Sequence, residues 1–489
     1  MRIPVHPGAA LMICGVLYTG AAHAQQPASE PAQAQSLVGV ELKGKAPVNP
    51  KTLDVELPKP QEAVLENGMQ IALIEDHELP TFSLQLIVRG GGLADPPERR
   101  GLAAALAELL REGTAQRSSR EIAEQLATLG SVMEAAASPA STHTSVAISG
   151  LIEHLDETLE LAADVVRRPA FPQSEVDKYK ARYLSQLQHR RSLPSFIAQE
   201  QFMRAVYGRH PAGLVLPSEE VIASLTSKEL VEHHARSWRP NNIIMLAYGD
   251  LTLKQLTAKV EHAFGDWSQH EVAPAPRLDS PAPRKARTLL VHRPGSVQTS
   301  LWLGALGVER NSADYFAVLV MNHILGGGPA SRLFLNLRED KGYTYGVYSA
   351  FTSSTFPGVV LATTDVRTQA TEGALHELMA ELRRIAEEPV SAQELDNAKR
   401  ALIGRFALSL DSPQALMANL AAQKIYDLPP DYWDVYPQRV AAVDARDVQR
   451  VARKYYAPER LQIVAVGDQA EVRKALEHYG EVHTPQARE

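Results

Sequence analysis

Two spacings of apolar residues follow one another early in the chain and predict different elements. Residues 66–90, ENGMQIALIEDHELPTFSLQLIVRG, alternate apolar and polar positions on either side of residues 78–80, which predicts two β-strands joined by a turn. Residues 101–114, GLAAALAELLREGT, instead carry an apolar stripe at helical spacing. The stripe consists of Leu102, Leu106, Leu109 and Leu110. This stretch predicts an amphipathic helix that follows a glycine-rich turn and ends at Gly113.

The same reading predicts an alternation of helices and strands through the next 140 residues or so. Helices are predicted at 120–129, 152–167 and 175–191, and a helix-rich part continues to residue 235. Strands are predicted at 142–149 and 243–248, the second ending in Gly-Asp. Strands separated by helices in this mixed order favour an α+β sandwich, a largely antiparallel sheet with helices packed on one face.

A long internal repeat divides the chain into two similar parts. Residues 237–251, SWRPNNIIMLAYGDL, match residues 455–469, YYAPERLQIVAVGDQ, at an offset of 218. Residues 174–187 match a segment from residue 392 at 218 to 219, and Leu84 aligns with Leu301 at 217. Because this period is far too long for a solenoid repeat, it predicts a duplicated α+β domain of about 220 residues.

Proline-rich segments set the predicted domain limits. Residues 271–285, EVAPAPRLDSPAPRK, hold four prolines and read as an interdomain linker, and residues 25–50 read as a flexible leader. The predicted organisation is a signal peptide at 1–24, the leader at 25–50, an N-terminal domain at 51–270, the linker at 271–285 and a C-terminal domain at 286–489.

The first 24 residues are typical of a secretory signal peptide. Arg2 precedes an apolar stretch, and Ala22-His23-Ala24 forms an A-x-A cleavage site. A single membrane anchor and a lipidated Cys14 are the alternatives, but the apolar run is short and the residues before Cys14 are large. We therefore expect cleavage after Ala24 and a periplasmic protein that has lost its only cysteine.

Composition excludes several classes of partner. The chain has 45% hydrophobic and 22% charged residues and a formal net charge of −7, which is typical of a globular protein and argues against nucleic-acid binding. After the signal peptide, no apolar run reaches the about 20 residues that a membrane helix needs.

The segments LENGMQIALIEDHELP, LADPPERRGLA and YGRHPAG, together with the duplication, resemble the pitrilysin or insulinase (inverted-zincin) metallopeptidases over almost all of the chain after the leader. This resemblance implies two homologous α/β sandwich domains that form half of a clamshell chamber around a peptide. Active members carry H-x-x-E-H on the first helix, where two histidines bind zinc and the glutamate acts as general base.

The zinc motif is missing from the matching helix. An alignment of G-L-A and G-T with the family pattern needs no gap, and it places the first histidine at Ala104, the glutamate at Ala107 and the second histidine at Glu108. The third ligand, a glutamate on a later helix, falls on Gln186. The resemblance therefore implies that this chain binds no metal of its own.

Other residues offer no replacement site in the sequence. The adjacent His233 and His234 point about 100° apart on a helix and cannot chelate together. His210, in a turn, favours a hydrogen-bonding role over metal binding. A self-sufficient hydrolase rebuilt around Glu108 is the weakest alternative.

The second half resembles the family's substrate-handling segment. GGGPASRLFLNLREDKGYTYGVYSAF begins at Gly326, and the family's arginine and tyrosine fall on Arg338 and Tyr345. Tyr343 is a second candidate, predicted on the same strand face as Tyr345. The resemblance implies that the guanidinium clamps a peptide carbonyl or carboxylate and that the phenol donates to the oxyanion. The structural alternative is that Arg338 caps a helix C-terminus and both tyrosines are half-buried.

The glycine-rich loop has two interpretations. Gly326, Gly327 and Gly328 could let the backbone approach a substrate or partner, or they could simply lead into a helix.

These features together predict a division of labour between two chains. The resemblance implies a heterodimer in which a homologous H-x-x-E-H-bearing peptidase subunit holds the zinc, while this non-catalytic subunit binds the peptide substrate and contributes Arg338 and Tyr345. The alternative is a scaffold or peptide-binding protein with no role in catalysis.

Overall fold

The computed structural model describes residues 53–272 and 278–485. The predicted signal peptide and most of the expected export sequence and leader lie outside these residues, as does the centre of the predicted linker. Their assignment, and with it the predicted localisation, remains a prediction.

The first half contains one six-stranded sheet. Its strands are β1 (Gln61–Val64), β2 (Gln70–Glu75), β3 (Thr81–Arg89), β4 (Val132–Ala136), β5 (His143–Leu151) and β6 (Ile243–Gly249). Their spatial order is β1-β2-β6-β3-β5-β4, and only β2 and β6 run parallel. The two strands predicted from residues 66–90 are β2 and β3. The short strands β1 and β4 escaped the sequence pattern.

The helices of the first half include those that the sequence predicted. They are α1 (Leu102–Leu109), α2 (Ser119–Thr128), α3 (Leu155–Arg167), α4 (Gln173–Arg191), α5 (Pro194–Tyr207), α6 (Glu219–Ala223), α7 (Ser227–Ser237) and α8 (Leu253–Phe264). Capping boxes begin α2, α7 and α8, where a Ser or Thr side chain accepts from the backbone and a Glu or Gln reaches back. These caps fix where the helices start.

The second half repeats this arrangement with a second six-stranded sheet. Its strands are β7 (Arg287–His292), β8 (Gln298–Leu306), β9 (Thr344–Phe351), β10 (Val359–Arg367), β11 (Gln462–Gly467) and β12 (Val482–His483). Its helices are α9 (Tyr315–Gly326), a π-helix (Phe334–Asp340), α10 (Thr371–Glu387), α11 (Ala392–Ser409), α12 (Pro413–Tyr426), α13 (Tyr436–Ala442), α14 (Ala445–Tyr455) and α15 (Gln469–Glu477).

Strand register shows that the sequence repeat is a structural repeat. The order β12-β7-β11-β8-β10-β9 matches that of the first sheet except at the β12 edge, which is parallel where β1 is antiparallel. Leu84 of β3 lies opposite Ala247, and its counterpart Leu301 of β8 lies opposite Ala465. The offset found in the sequence therefore joins equivalent positions in the two sheets.

Each sheet is covered on its second face by a helix from the other half. Phe202 of α5 packs against the second sheet, with its ring 5.8 Å from that of Trp302. Reciprocally, Leu416 and Leu420 of α12 pack with Ile244 of the first sheet. Because both faces are covered, the central strands β6 and β11 are almost continuously apolar rather than alternating. The sequence predicted helices on one face and missed this exchange.

The predicted fold class is confirmed. Each half is an α+β sandwich with a mostly antiparallel sheet, and most of the buried apolar residues form one large core in each half. Among the residues described here, none of the helices has the length and apolar character to cross a bilayer.

Candidate functional site

Helix α1 keeps a firmly held frame. Asp95, almost fully buried, accepts hydrogen bonds from the backbone N–H groups of Gly101 at 2.7 Å and Ala103 at 3.1 Å. Gly101 has φ 114°, and a Cβ there would lie 2.5 Å from Pro217, so only glycine fits this turn. Burial raises the pKa of the Asp95 carboxyl to about 6, although the same backbone N–H groups oppose the shift.

The predicted leucine stripe packs this helix into the core. All four leucines are buried in the first-half core. Since the stripe occupies the inner face, the positions of the missing motif lie to one side of it. Ala107 is buried, Ala104 is half-buried and Glu108 is exposed.

The outer face of α1 carries an ion pair in place of a metal site. A Glu108 carboxylate oxygen lies 3.6 Å from the guanidinium of Arg182 on α4, one turn before the exposed Gln186. Partial burial raises the pKa of Glu108, and the charges of Arg182 and Arg190 counteract part of this shift. The pair connects α1 and α4 across the place where the resemblance puts the zinc ligands.

A zinc ion does not fit this donor set. Ala104 and Ala107 have no ligand atom, Gln186 offers only a neutral amide, and Glu108 is already paired with Arg182. Catalytic zinc needs three protein ligands of nitrogen, sulfur or carboxylate type. Within residues 53–272 and 278–485, no other group of three or more His, Cys, Asp or Glu side chains could hold a metal ion.

The histidines considered from the sequence have structural environments. His210 accepts a hydrogen bond from the Ala212 backbone N–H through Nδ1 and stacks on Tyr207. His234 pairs its Nε2 with the Val166 carbonyl at 2.8 Å, and His233 lies 3.4 Å from Asp95. Burial lowers the pKa of both His233 and His234 to about 4, so they are neutral at physiological pH.

The structure brings Arg338 and Tyr345 into direct contact. Arg338 lies in the last turn of the π-helix, and Tyr345 is the second residue of β9. The Arg338 guanidinium carbon is 4.6 Å from the Tyr345 ring centroid and 4.8 Å from that of Phe334. The guanidinium thus contacts two aromatic rings, and these contacts restrict its orientation. Phe334, four residues before Arg338, was not predicted, although this spacing places two residues on one helical face.

Most hydrogen-bonding capacity of this pair remains available to a ligand. Arg338 makes an ion pair with Glu339 at 3.4 Å, and none of its side-chain N–H groups caps a backbone carbonyl in the described structure. Tyr345 is 87% exposed, which is unusual for a large ring within a strand. The structural alternative of a capping arginine and a half-buried tyrosine therefore does not describe these two residues.

A β-bulge explains how Tyr345 is directed outwards. Thr344 lies opposite Val366 and Val347 opposite Thr364, so β9 holds one extra residue at Tyr345–Gly346. The Thr344 hydroxyl binds this bulge by donating to the Gly346 carbonyl and accepting from its N–H. Bulges redirect side chains in this way.

Tyr343 lies in different surroundings from Tyr345. It precedes β9, is half-buried at the second-half core, and rests its phenol against Gly373 of α10. The two tyrosines therefore do not share an exposed strand face, and Tyr343 offers its phenol to the interior.

The glycine-rich loop contributes close packing. A Cβ on Gly326, the last residue of α9, would lie 2.2 Å from the backbone nitrogen of Ser349 on β9. A Cβ on Gly327 would lie 2.6 Å from the His323 Cα, whereas one on Gly328 would meet no atom within 4 Å. Gly326 and Gly327 thus have an internal reason for being glycine, and Gly328 alone is open.

Family models match both halves of the chain. The model described as Insulinase (Peptidase family M16) matches residues 70–218, and the model described as Peptidase M16 inactive domain matches residues 224–402. The chain belongs to the M16 peptidase family.

Curated M16 relatives carry both kinds of description. A Bacillus subtilis protein described as uncharacterized zinc protease YmxG is 26% identical over 398 residues, covering 81% of this chain and 95% of the relative. A Helicobacter pylori protein described as non-peptidase homolog YmxG is 25% identical over 339 residues, covering 68% of this chain and 76% of the relative.

Solved structures agree with the M16 assignment. The crystal structure of a peptidase M16 inactive domain from Pseudomonas fluorescens superposes with a TM-score of 0.77 at 27% identity, covering 84% of this chain and 98% of that chain. A Helicobacter pylori protease also superposes with a TM-score of 0.77, at 21% identity, covering 84% and 100% of the two chains. The second likeness concerns the fold alone.

The two candidate sites of this M16 chain lie in different matched segments. Helix α1 falls within the insulinase match, and Arg338 and Tyr345 fall within the inactive-domain match. No contact of Arg338 or Tyr345 reaches α1 in the described structure. One chain thus presents an M16 frame without zinc donors and, elsewhere, an exposed cation–phenol pair.

Proposed function

We propose that this M16 chain is the non-catalytic, substrate-binding subunit of a heterodimeric periplasmic zinc metalloendopeptidase. Its partner is a homologous chain of similar size that carries H-x-x-E-H and the zinc. The observation that carries the proposal is the exposed pairing of Arg338 with Tyr345 in a chain whose own α1 lacks zinc donors. The non-peptidase description of the Helicobacter relative is consistent with it.

The chemistry of the pair suits a bound peptide. Arg338 has several N–H donors directed away from its ion pair, and a guanidinium can clamp a carbonyl or carboxylate with two parallel hydrogen bonds. The Tyr345 phenol can donate to the oxygen of a scissile carbonyl as negative charge develops there. One such preorganised donor contributes about 2.7–4 kcal/mol to transition-state stabilisation.

Co-expression with an H-x-x-E-H-bearing M16 chain encoded beside this gene tests the proposal. Peptide cleavage should require both chains, and zinc should copurify with the partner. Arg338→Ala should lower kcat/KM of the pair about 100- to 1000-fold while leaving assembly intact. Tyr345→Phe should lower kcat more than it raises KM.

Lys341→Ala is the matched control, because Lys341 is a partly exposed cation three residues away that pairs with Asp340. It should leave activity unchanged. Full cleavage by this chain alone with zinc would contradict the proposal outright. Wild-type activity of the Arg338→Ala and Tyr345→Phe pairs would favour a scaffold with no catalytic role.

A further inference from the structure

A second cavity lies away from Arg338 and Tyr345. It has a volume of about 350 Å³ and lies between the start of α9 and the helices α13 and α14. We call it the arginine pocket and define it by Arg310, Phe316, Tyr432, Arg439, Asp447 and Arg450. None of these residues takes part in the proposed peptidase function.

Arg310 is a buried cation without a carboxylate. Its residue is 6% exposed, and its guanidinium carbon lies 4.0 Å from the Tyr315 ring centroid and 4.9 Å from that of Tyr432. One N–H donates to the Tyr432 hydroxyl, and within the described residues the side chain makes no other hydrogen bond and no ion pair. A buried charge is costly unless it is paired, so the remaining donors favour an anion.

Arg439 adds a second cation of the same kind on the opposite wall. It is half-buried, 5.0 Å from the Tyr432 ring centroid and 5.6 Å from that of Phe316, and it too has no carboxylate partner among the residues described. Tyr432 therefore lies against both guanidinium groups. The two arginines and the rings between them form one continuous surface of the cavity.

Arg450 shows what a satisfied arginine looks like in the same pocket. Its guanidinium pairs with Asp314 at 2.5 Å and with Asp447 at 3.2 Å. Asp447 is the only acidic residue that lines the cavity, against three arginines, which leaves the lining with a formal charge of +2. The charge that lacks compensation is that of Arg310 and Arg439.

We propose that the arginine pocket binds a small anion through a carboxylate or phosphate group, with Arg310 and Arg439 as its donors. Guanidinium groups match the oxygens of both anions, and the rings of Phe316 and Tyr432 can cover an apolar part of the ligand. The pocket adjoins the end of β9 opposite Tyr345, because Tyr315 contacts Phe351, six residues away or about 20 Å along the strand. The site is thus independent of the peptidase role.

Titration of the full mature chain with sodium phosphate and, separately, sodium acetate tests this proposal at fixed ionic strength. Trp433, whose ring lies 5.4 Å from the Arg310 guanidinium carbon, supplies a fluorescence signal, and thermal unfolding supplies a second readout. We expect saturable binding of at least one anion. A response to phosphate alone or to acetate alone identifies which group the pocket takes.

Arg439→Gln should weaken that binding about tenfold or more, because it removes a charge-assisted donor without opening the core. Arg446→Gln, an exposed arginine on α14 outside the pocket, is the control and should bind as the wild type does. No saturable response to either anion, or equal affinity in the Arg439→Gln variant, would overturn the proposal. In that case the aromatic rings alone balance the charge of Arg310.

Discussion

The exchange of helices between the halves predicts that the chain unfolds as one cooperative unit. Phe202 of α5 belongs to the first half in sequence, but its ring is fully buried against the second sheet, over Gly304 and beside Trp302. Phe202→Ala removes this ring and leaves a cavity between elements of both halves. The substitution therefore tests whether the contact couples them.

The size of the effect follows from the burial of Phe202. A buried Phe→Ala change lowers the free energy of unfolding by about 3–5 kcal/mol. If all of the roughly 430 described residues unfold together, the unfolding entropy is about 0.9 kcal/mol/K, and Tm should fall by about 3–6 °C. If one half unfolded alone, the entropy would be half as large and the same substitution would lower Tm about twice as far.

Differential scanning calorimetry distinguishes these outcomes. We expect one endotherm in the wild type and one, shifted downwards, in Phe202→Ala. Leu420→Ala, in α12 on the first sheet, should shift the same endotherm, whereas Leu79→Ala, on an exposed turn, should change stability by no more than about 0.5 kcal/mol. Two resolved endotherms, of which Phe202→Ala shifts only one, would refute the reasoning.

Two further predictions concern packing and pH. Gly326→Ala should lower the free energy of unfolding by at least about 1–3 kcal/mol, because its methyl group meets the Ser349 backbone, while Gly328→Ala should be nearly neutral; chemical denaturation of both variants measures the difference. The folded-state pKa of His234, about 4, lies below its ordinary value of 6.5, so the unfolded chain binds the extra proton and stability falls as pH drops through this window, by about 1.4 kcal/mol per pH unit from this group. His234→Gln should flatten that slope in pH-dependent denaturation, and an unchanged slope would exclude His234 as its source.

The sequence predicted those parts of the fold that local patterns determine. The leucine stripe of α1 and the alternation of β3 state which face is buried, and the structure buries those faces. The repeat offset predicted equivalent positions because a duplication preserves strand register. Equal offsets therefore became equal partners, as Leu84 and Leu301 show.

The environments of the two tyrosines could not be predicted because a bulge changes the strand alternation. A regular strand with period two would place Tyr343 and Tyr345 on one face. The extra residue at Tyr345–Gly346 leaves Tyr345 exposed, and no residue pattern before it indicates the insertion. The π-helix that carries Arg338 has no distinctive composition either.

The exchange of α5 and α12 was also beyond the sequence. Both are apolar on more than one side, which is compatible with burial against any surface. Which sheet each helix covers depends on the path of the chain between the halves, and hydrophobic spacing contains no information about that path. The nearly continuous apolar character of β6 was the one available indication that its second face is covered.

The preserved frame of α1 also constrains the evolutionary future of this chain. Asp95 and the leucine stripe still hold the backbone in place, so Ala104→His, Ala107→Glu, Glu108→His and Gln186→Glu would each need no rearrangement of the helix. Yet no single one of these changes assembles three metal donors, and Glu108→His would first break the ion pair with Arg182. Selection for zinc chemistry therefore has no gradient to follow, and the loss of the motif acts as a ratchet.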